Sequence, residues 1–141
     1  MITDKLPSKP SALLRTALND LIKVENTPQQ YRVEMGAWAD VDDKGICEVC
    51  LAGAALTHTC EFGPNSLDWH EESMSSSLDD KLEALNAFMC GDISFALRSL
   101  QIDNIPDEIP ASLEIPLYDD DKEGFKKTLF DFADKLEAAG I

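Results

Sequence analysis

Five stretches of the chain repeat apolar residues at helical spacing and one alternates them, so the pattern predicts helices around a short extended region. Leu13, Leu14, Ala17, Leu18, Leu21 and Ile22 share one face of a helix that Ser11 is placed to cap. Thr27-Pro28-Gln29-Gln30 interrupts it. Tyr31 to Trp38 then alternates, with Val33, Met35 and Ala37 on one face and Arg32, Glu34 and Trp38 on the other. A second extended run starts at Ile46. The intervening Asp42-Asp43-Lys44-Gly45 has hairpin turn chemistry, with Gly45 suited to positive φ. Leu51, Ala52, Ala55 and Leu56 mark a short buried helix reaching Thr59, in which Gly53 and Ala54 permit a close neighbour.

Beyond it, Ser66 to Asp80 is polar around Trp69 and His70 and reads as a surface loop. Asp79 or Asp80 is placed to cap a helix through Leu82, Leu85, Phe88 and Met89 that Gly91 ends, and Asp92 to cap the next, carrying Ile93, Phe95, Ala96, Leu97 and Leu100. Ile105-Pro106 to Ile115-Pro116 holds too much proline for a helix or a central strand and predicts an extended strap. Asp119-Asp120-Asp121 puts negative charge where the dipole of a final helix favours it, and Phe125, Leu129, Phe132, Ala133 and Leu136 form that helix's buried stripe. The expected architecture is a single α+β domain over residues 1–141. A small antiparallel sheet, the hairpin of about residues 31–50, is covered by four or five helices, with an acidic strap at 103–118 and a C-terminal helix at about 120–139. The expected core is Leu18, Leu21, Val33, Met35, Val49, Ala55, Leu85, Phe88, Leu97, Phe125, Leu129 and Phe132.

Charge changes the picture more than composition does. The 141 residues carry 27 acids against 12 lysines and arginines, a net charge of −15, which repels nucleic acid and anionic membrane and attracts basic protein surfaces. The excess is uneven: residues 40–80 hold ten acids against Lys44, and residues 103–123 hold eight against Lys122. No apolar run approaches the ~20 residues of a membrane span, and Met1 to Pro7 lacks an apolar signal region. A soluble protein of a reducing cytoplasm is expected, its four cysteines being thiols or metal ligands rather than a disulfide framework.

Three chemical readings present themselves. Cys47, Cys50, His58 and Cys60 form a ligand set that zinc accepts. However, a helix over the intervening residues separates the two pairs by ~10 Å, whereas tetrahedral ligands each lie within ~2.3 Å of the ion. Cys50, at a helix N-terminus, has the position of an activated thiol, but His58 lies ~12 Å along the same helix, leaving His70 as the base. Asp40-x-Asp42 and Asp119-x-Asp121 open like calcium loops, yet the twelfth position is Leu51 in one and Phe130 in the other, where a bidentate Glu is needed. The expectation is therefore no cofactor, no resident metal and no catalytic residue. The alternatives are a zinc-stabilised binding module and a Cys50-dependent thiol enzyme.

Tyr31, Met35, Gly36 and Trp38, then Cys47-Glu48-Val49-Cys50-Leu51-Ala52-Gly53-Ala54, then Lys81-Leu82-Glu83-Ala84-Leu85-Asn86 carry a resemblance. Over roughly residues 12 to 100 the chain resembles a set of small, functionally uncharacterised proteins of tailed phages and prophages. The resemblance implies a viral accessory protein acting in the host cytoplasm and supplies no catalytic residue. Combined with the acidic clusters, it leads to an expected inhibitor of a host nucleic-acid-dependent defence enzyme, of the anti-CRISPR or anti-restriction type, acting as a nucleic-acid mimic. The expected contact residues are Asp40, Asp42, Asp43, Glu71, Glu72, Asp119, Asp120 and Asp121, with Trp38, Trp69 and Tyr118 as aromatic anchors beside them. The expected partner is a host protein with a basic nucleic-acid-binding surface, and a homodimer is left open.

Overall fold

A computed structural model describes residues 2–36, 40–62 and 74–141, with Asp40 and Val41 described by their backbone. Among the described residues five helices and three short strands follow in the order α1 (Pro10–Glu25), β1 (Tyr31–Val33), β2 (Asp40–Val41), β3 (Cys47–Val49), α2 (Leu51–His58), α3 (Ser76–Met89), α4 (Ile93–Ser99) and α5 (Lys122–Ala138). The α+β class and the helix count agree with the hydrophobic pattern.

α1 is the centre of the molecule. Its stripe of Leu13, Leu14, Ala17, Leu18 and Leu21 is fully buried, packing against α2 on one side and α5 on the other. Each such leucine contributes about 1.5–3 kcal/mol by leaving water. α2 is buried from Leu51 to Thr57, on every face rather than along one stripe, which is why its sequence shows no polar side. α3 packs on α2 and α4, and Phe88, its largest fully buried side chain, meets Phe132 of α5 with ring centroids 6.3 Å apart. Two polar ties fasten this core. Asp20 of α1, 1 % exposed, accepts a hydrogen bond from Thr59 Oγ1 and faces Lys23 Nζ at 3.4 Å. Lys81 of α3 donates to Asp4 Oδ2 and to the Leu6 carbonyl, both at 2.8 Å.

The sheet corrects the expected antiparallel hairpin. β1 pairs with β3 in parallel, Tyr31 opposite Cys47 and Val33 opposite Val49, and the strand order is β1-β3-β2. The turn Asp42–Gly45 does form, with Gly45 at φ +82°, but it joins β3 to the two-residue β2 rather than to β1. The cause is length. Six residues separate Val33 from Asp40, so the chain crosses to the far edge of β3 before the tight turn reverses it. β1 accordingly stops at Val33. Val33 and Met35, expected in the core, are only partly buried against it.

Two caps also differ from expectation. Ser11 is not the cap of α1. Pro10 occupies the first turn, where its missing N–H costs nothing, Lys9 is the cap residue, and Ser11 is buried inside the helix. α3 starts a turn before Asp79: Ser75 Oγ accepts from Leu78 N at 3.2 Å, and the added turn brings Leu78 into the core. Gly91 at φ +79° ends α3 and Asp92 caps α4, as the sequence predicts, while of the three acids expected at the N-terminus of the last helix it is Asp121 that caps α5. The predicted surface loop of residues 66–80 falls mostly outside the described residues, and its last part is helix α3. Among the described residues no helix is long and apolar enough to cross a membrane.

Candidate functional site

The strap from residue 101 to 121 has almost no regular structure of its own and is held to the corner between α3 and α4 by backbone. Leu113 N donates to the Gly91 carbonyl at 2.8 Å and Ser94 N donates to the Ala111 carbonyl at 3.0 Å, a one-residue antiparallel bridge joining Asp92 and Ser112 between them. Ile105, Ile109, Leu113 and Ile115 turn inward onto the core. Asp103, Asp107, Glu108 and Glu114 turn outward and are exposed. Alternate inward apolar and outward acidic side chains are what an extended chain lying on an apolar surface presents.

The strap ends in a turn at Leu117, whose carbonyl accepts from Asp120 N and Asp121 N. Asp119 and Asp120 are exposed, and Asp121 Oδ1 accepts from Gly124 N at 2.9 Å to cap α5. Tyr118 faces inward. It is 5 % exposed, lies edge-on to Phe125 at 5.5 Å and donates its hydroxyl to Glu25. Burial pushes its phenol well above the usual range, and the adjacent Glu25 carboxylate pushes it further. Lys126 completes this network, donating to Glu25 Oε1 at 2.7 Å. Tyr118 is thus a core residue rather than an exposed aromatic anchor. Its neighbour Leu117 is the exposed side chain, 71 % accessible in the middle of the acidic run. The sequence shows two large apolar residues side by side after Pro116, and nothing in it says which one the turn sends outward.

Several cations pair with acids outside the strap. Lys5 pairs with Glu61, Arg15 with Asp134 and Glu137, Lys81 with Asp4, Lys126 with Glu25 and Glu123, and Lys127 with Asp131. Asp42 is also engaged. Hydrogen bonds from the Ile46 and Lys44 N–H groups and the nearby Arg32 hold its carboxyl below the usual range, and it is an anchor of the turn rather than a free contact acid. Arg32 spends its other contact on Glu48, directly across the β1–β3 pair at 2.6 Å. By contrast Asp103, Asp107, Glu108, Glu114, Asp119 and Asp120 form no ion pair with a lysine or arginine among the described residues. Asp43 is exposed within the turn, and Asp40 lies in β2. Trp38, Trp69, Glu71 and Glu72, as well as His70, lie outside the described residues.

The cysteines have the geometry of core side chains. Cys50 is fully buried as the cap of α2, its Sγ accepting from Gly53 N at 3.5 Å and facing Asn86 Oδ1 at 3.8 Å. Burial pushes this thiol up, against the pull of the surrounding amides, so the helix N-terminus does not activate it. Cys47 and Cys60 are buried as well, and burial also raises Cys60. His58 stacks near Tyr31 with ring centroids 5.3 Å apart, and burial pushes its imidazole below the usual range. Cys47, Cys50, His58 and Cys60 do not converge as zinc ligands. Among the described residues the one group of three possible donors within 4.8 Å of one another is Asp79, Asp80 and Glu83, whose i, i+1, i+4 spacing on α3 explains their proximity. Iodoacetamide on the native protein is expected to give one adduct, at the exposed Cys90, with Cys47, Cys50 and Cys60 reacting only after denaturation; peptide mass spectrometry reads this directly. A fast native adduct at Cys50 would restore the thiol-enzyme reading.

The chain matches no family model, no curated protein and no solved structure.

Proposed function

We propose that this chain is a phage-encoded acidic protein that binds and inhibits a host nucleic-acid-dependent defence enzyme of the CRISPR or restriction type. The strap and its turn enter the cationic groove that normally holds phosphates. The observation that carries this reading is the run of exposed carboxylates from Asp103 to Asp120, none of which forms an ion pair with a lysine or arginine among the described residues, fixed to the fold by backbone hydrogen bonds. Charge serving solubility alone needs no fixed positions. Charge that replaces a duplex phosphate backbone, with one negative charge per ~1.7 Å of axis, gains from being held in place before binding. Leu117, exposed among these acids, supplies the apolar contact that turns long-range attraction into a defined interface. Asp43 extends the acidic surface on the sheet side.

Affinity capture from host lysate tests the proposal. Retained proteins should be nucleic-acid-binding enzymes, released by added duplex DNA or RNA and weakened progressively by salt. Capture of no basic partner, or retention indifferent to competing nucleic acid, sinks it.

A further inference from the structure

α3 and α5 each end on a glycine at positive φ, Gly91 at +79° and Gly140 at +83°, but α4 ends on Gln101 at φ +65°. The hydrogen bonds are those of a glycine-type helix end: Gln101 N donates to the Arg98 carbonyl at 3.0 Å, and Ile102 N donates to the Leu97 carbonyl at 2.9 Å. Glycine takes this conformation without steric cost, whereas a residue with a Cβ is strained in it. Glu61 is the other non-glycine residue at positive φ among the described residues, and Lys5 engages its carboxylate. The Gln101 side chain is exposed and has no hydrogen-bond partner among the described residues. Strain kept for a side chain that ties nothing within the chain points to a contact outside it.

Gln101 lines a polar cavity of about 340 Å³ between the end of α4, the first turns of α3 and Ser8 ahead of α1. That volume holds one small ligand. Ser8, Ser76, Asp80 and Ser99 also line it, and none of these side chains has a partner among the described residues. Lys81, 6 % exposed, lines it too. Asp4 matches its charge, but an ammonium has three N–H donors and two are used, on Asp4 and the Leu6 carbonyl. Leu100 adds an apolar patch. Hydroxyls, an amide, a carboxylate and a spare ammonium proton thus stand side by side with little net charge. A phosphate would meet Asp80, and a simple cation would leave the donors of Gln101 and Lys81 unmatched.

We infer that this cavity binds a small neutral polyol or sugar, whose hydroxyls bridge Asp80, Gln101 and the serines while its C–H face rests on Leu100. Ligand hydroxyls both donate and accept, which is what a lining of mixed donors and acceptors requires: the carboxylate accepts from adjacent hydroxyls, and the amide serves either way. The site is separate from the acidic strap and does not rest on the function proposed for it.

Glucose, ribose and mannitol, each titrated into ¹⁵N-labelled protein, provide the test, with putrescine and inorganic phosphate as the cationic and anionic comparisons. At least one neutral compound should shift the Gln101 side-chain amide and the Ser76, Ser77 and Ser99 backbone amides saturably, and both charged compounds should bind more weakly. Gln101→Gly should move stability and binding in opposite directions. The urea midpoint should rise, because glycine relieves the strain, and binding should weaken about tenfold, because a hydrogen-bonding partner of the ligand is gone. No saturable shift with any of the three neutral compounds, equal or tighter binding of putrescine or phosphate, or unchanged binding to Gln101→Gly overturns the inference. A lower midpoint for Gln101→Gly also overturns it, because the glutamine side chain would then serve the fold.

Discussion

Gly91→Ala is expected to destabilise the fold by about 3 kcal/mol or more, an unusually large effect for the addition of one methyl group. Two costs combine. Gly91 has φ +79°, a conformation that costs a residue with a Cβ roughly 1–2 kcal/mol. A Cβ built there also meets the Leu113 carbonyl oxygen at 2.0 Å, and that atom is backbone of the strap. Relief requires the strap to lift, which breaks the Leu113 N–H bond to the Gly91 carbonyl, worth about 1 kcal/mol, and uncovers Ile109 and Leu113. Gly140 is the control, since φ is +83° there and nothing lies within 4 Å of an added Cβ. Gly140→Ala should cost only the backbone part, about 1–2 kcal/mol. Urea unfolding of the two variants measures the difference, and limited proteolysis should cut the Gly91→Ala strap between residues 103 and 118 first. Equal losses at the two positions would show that the strap is not seated on the corner.

Lys81→Met is expected to cost about 3 kcal/mol at neutral pH, the toll of leaving one partner of a nearly buried ion pair behind. Lys81 is 6 % exposed, and its ammonium fills the space between Asp4 and the Leu6 carbonyl, tying the N-terminal segment to α3. Burial pushes the Asp4 carboxyl up, but hydrogen bonds from Lys81, Ser77 and the Leu6 N–H outweigh it and hold the carboxyl below the usual range. A depressed folded-state pKa means that the pair's contribution is whole above the unfolded value of ~3.9 and is lost as pH falls through the lower folded value. The loss caused by Lys81→Met should therefore be large at pH 7 and shrink toward pH 2. Denaturant midpoints at the two pH values check this. A loss that stays constant with pH would mean that only packing of the lysine stem was removed.

The helices were legible because each carries a stripe at a spacing only a helix satisfies, and α2 was legible for the opposite reason, an apolar run too short to span anything but a core. The sheet was read less well. Alternation from Tyr31 to Trp38 announces extended chain, but pairing direction depends on where residues 34–39 carry it, and periodicity is silent on that. Caps were ambiguous where several polar residues stood together. Ser75 and Asp79 are both good caps, and the burial of Leu78, a tertiary fact, decides between them. At the site, the sequence located the acidic run but not its compensation. Asp42 looks as free as Asp119 until Arg32 and two turn amides are seen on it. Tyr118, expected as an exposed anchor, is buried and its neighbour Leu117 is exposed instead, because one residue of register in an extended chain reverses a side chain. Phe95 was recognisable as apolar but not as half-exposed.

The central claim is that the position of the strap carboxylates, not the total charge, creates the binding surface. Two variants of equal net charge test it most directly. In one, Asp107, Glu108, Asp119 and Asp120 become the corresponding amides; in the other, Glu61, Asp131, Asp134 and Glu137 do, all of them exposed and the latter four already paired with Lys5, Lys127 or Arg15. Quantitative capture of nucleic-acid-binding proteins from host lysate should be lost with the first variant and retained with the second, at matched salt. Equal capture by both, or equal loss, would contradict the account and leave the acidity as a property of the surface as a whole.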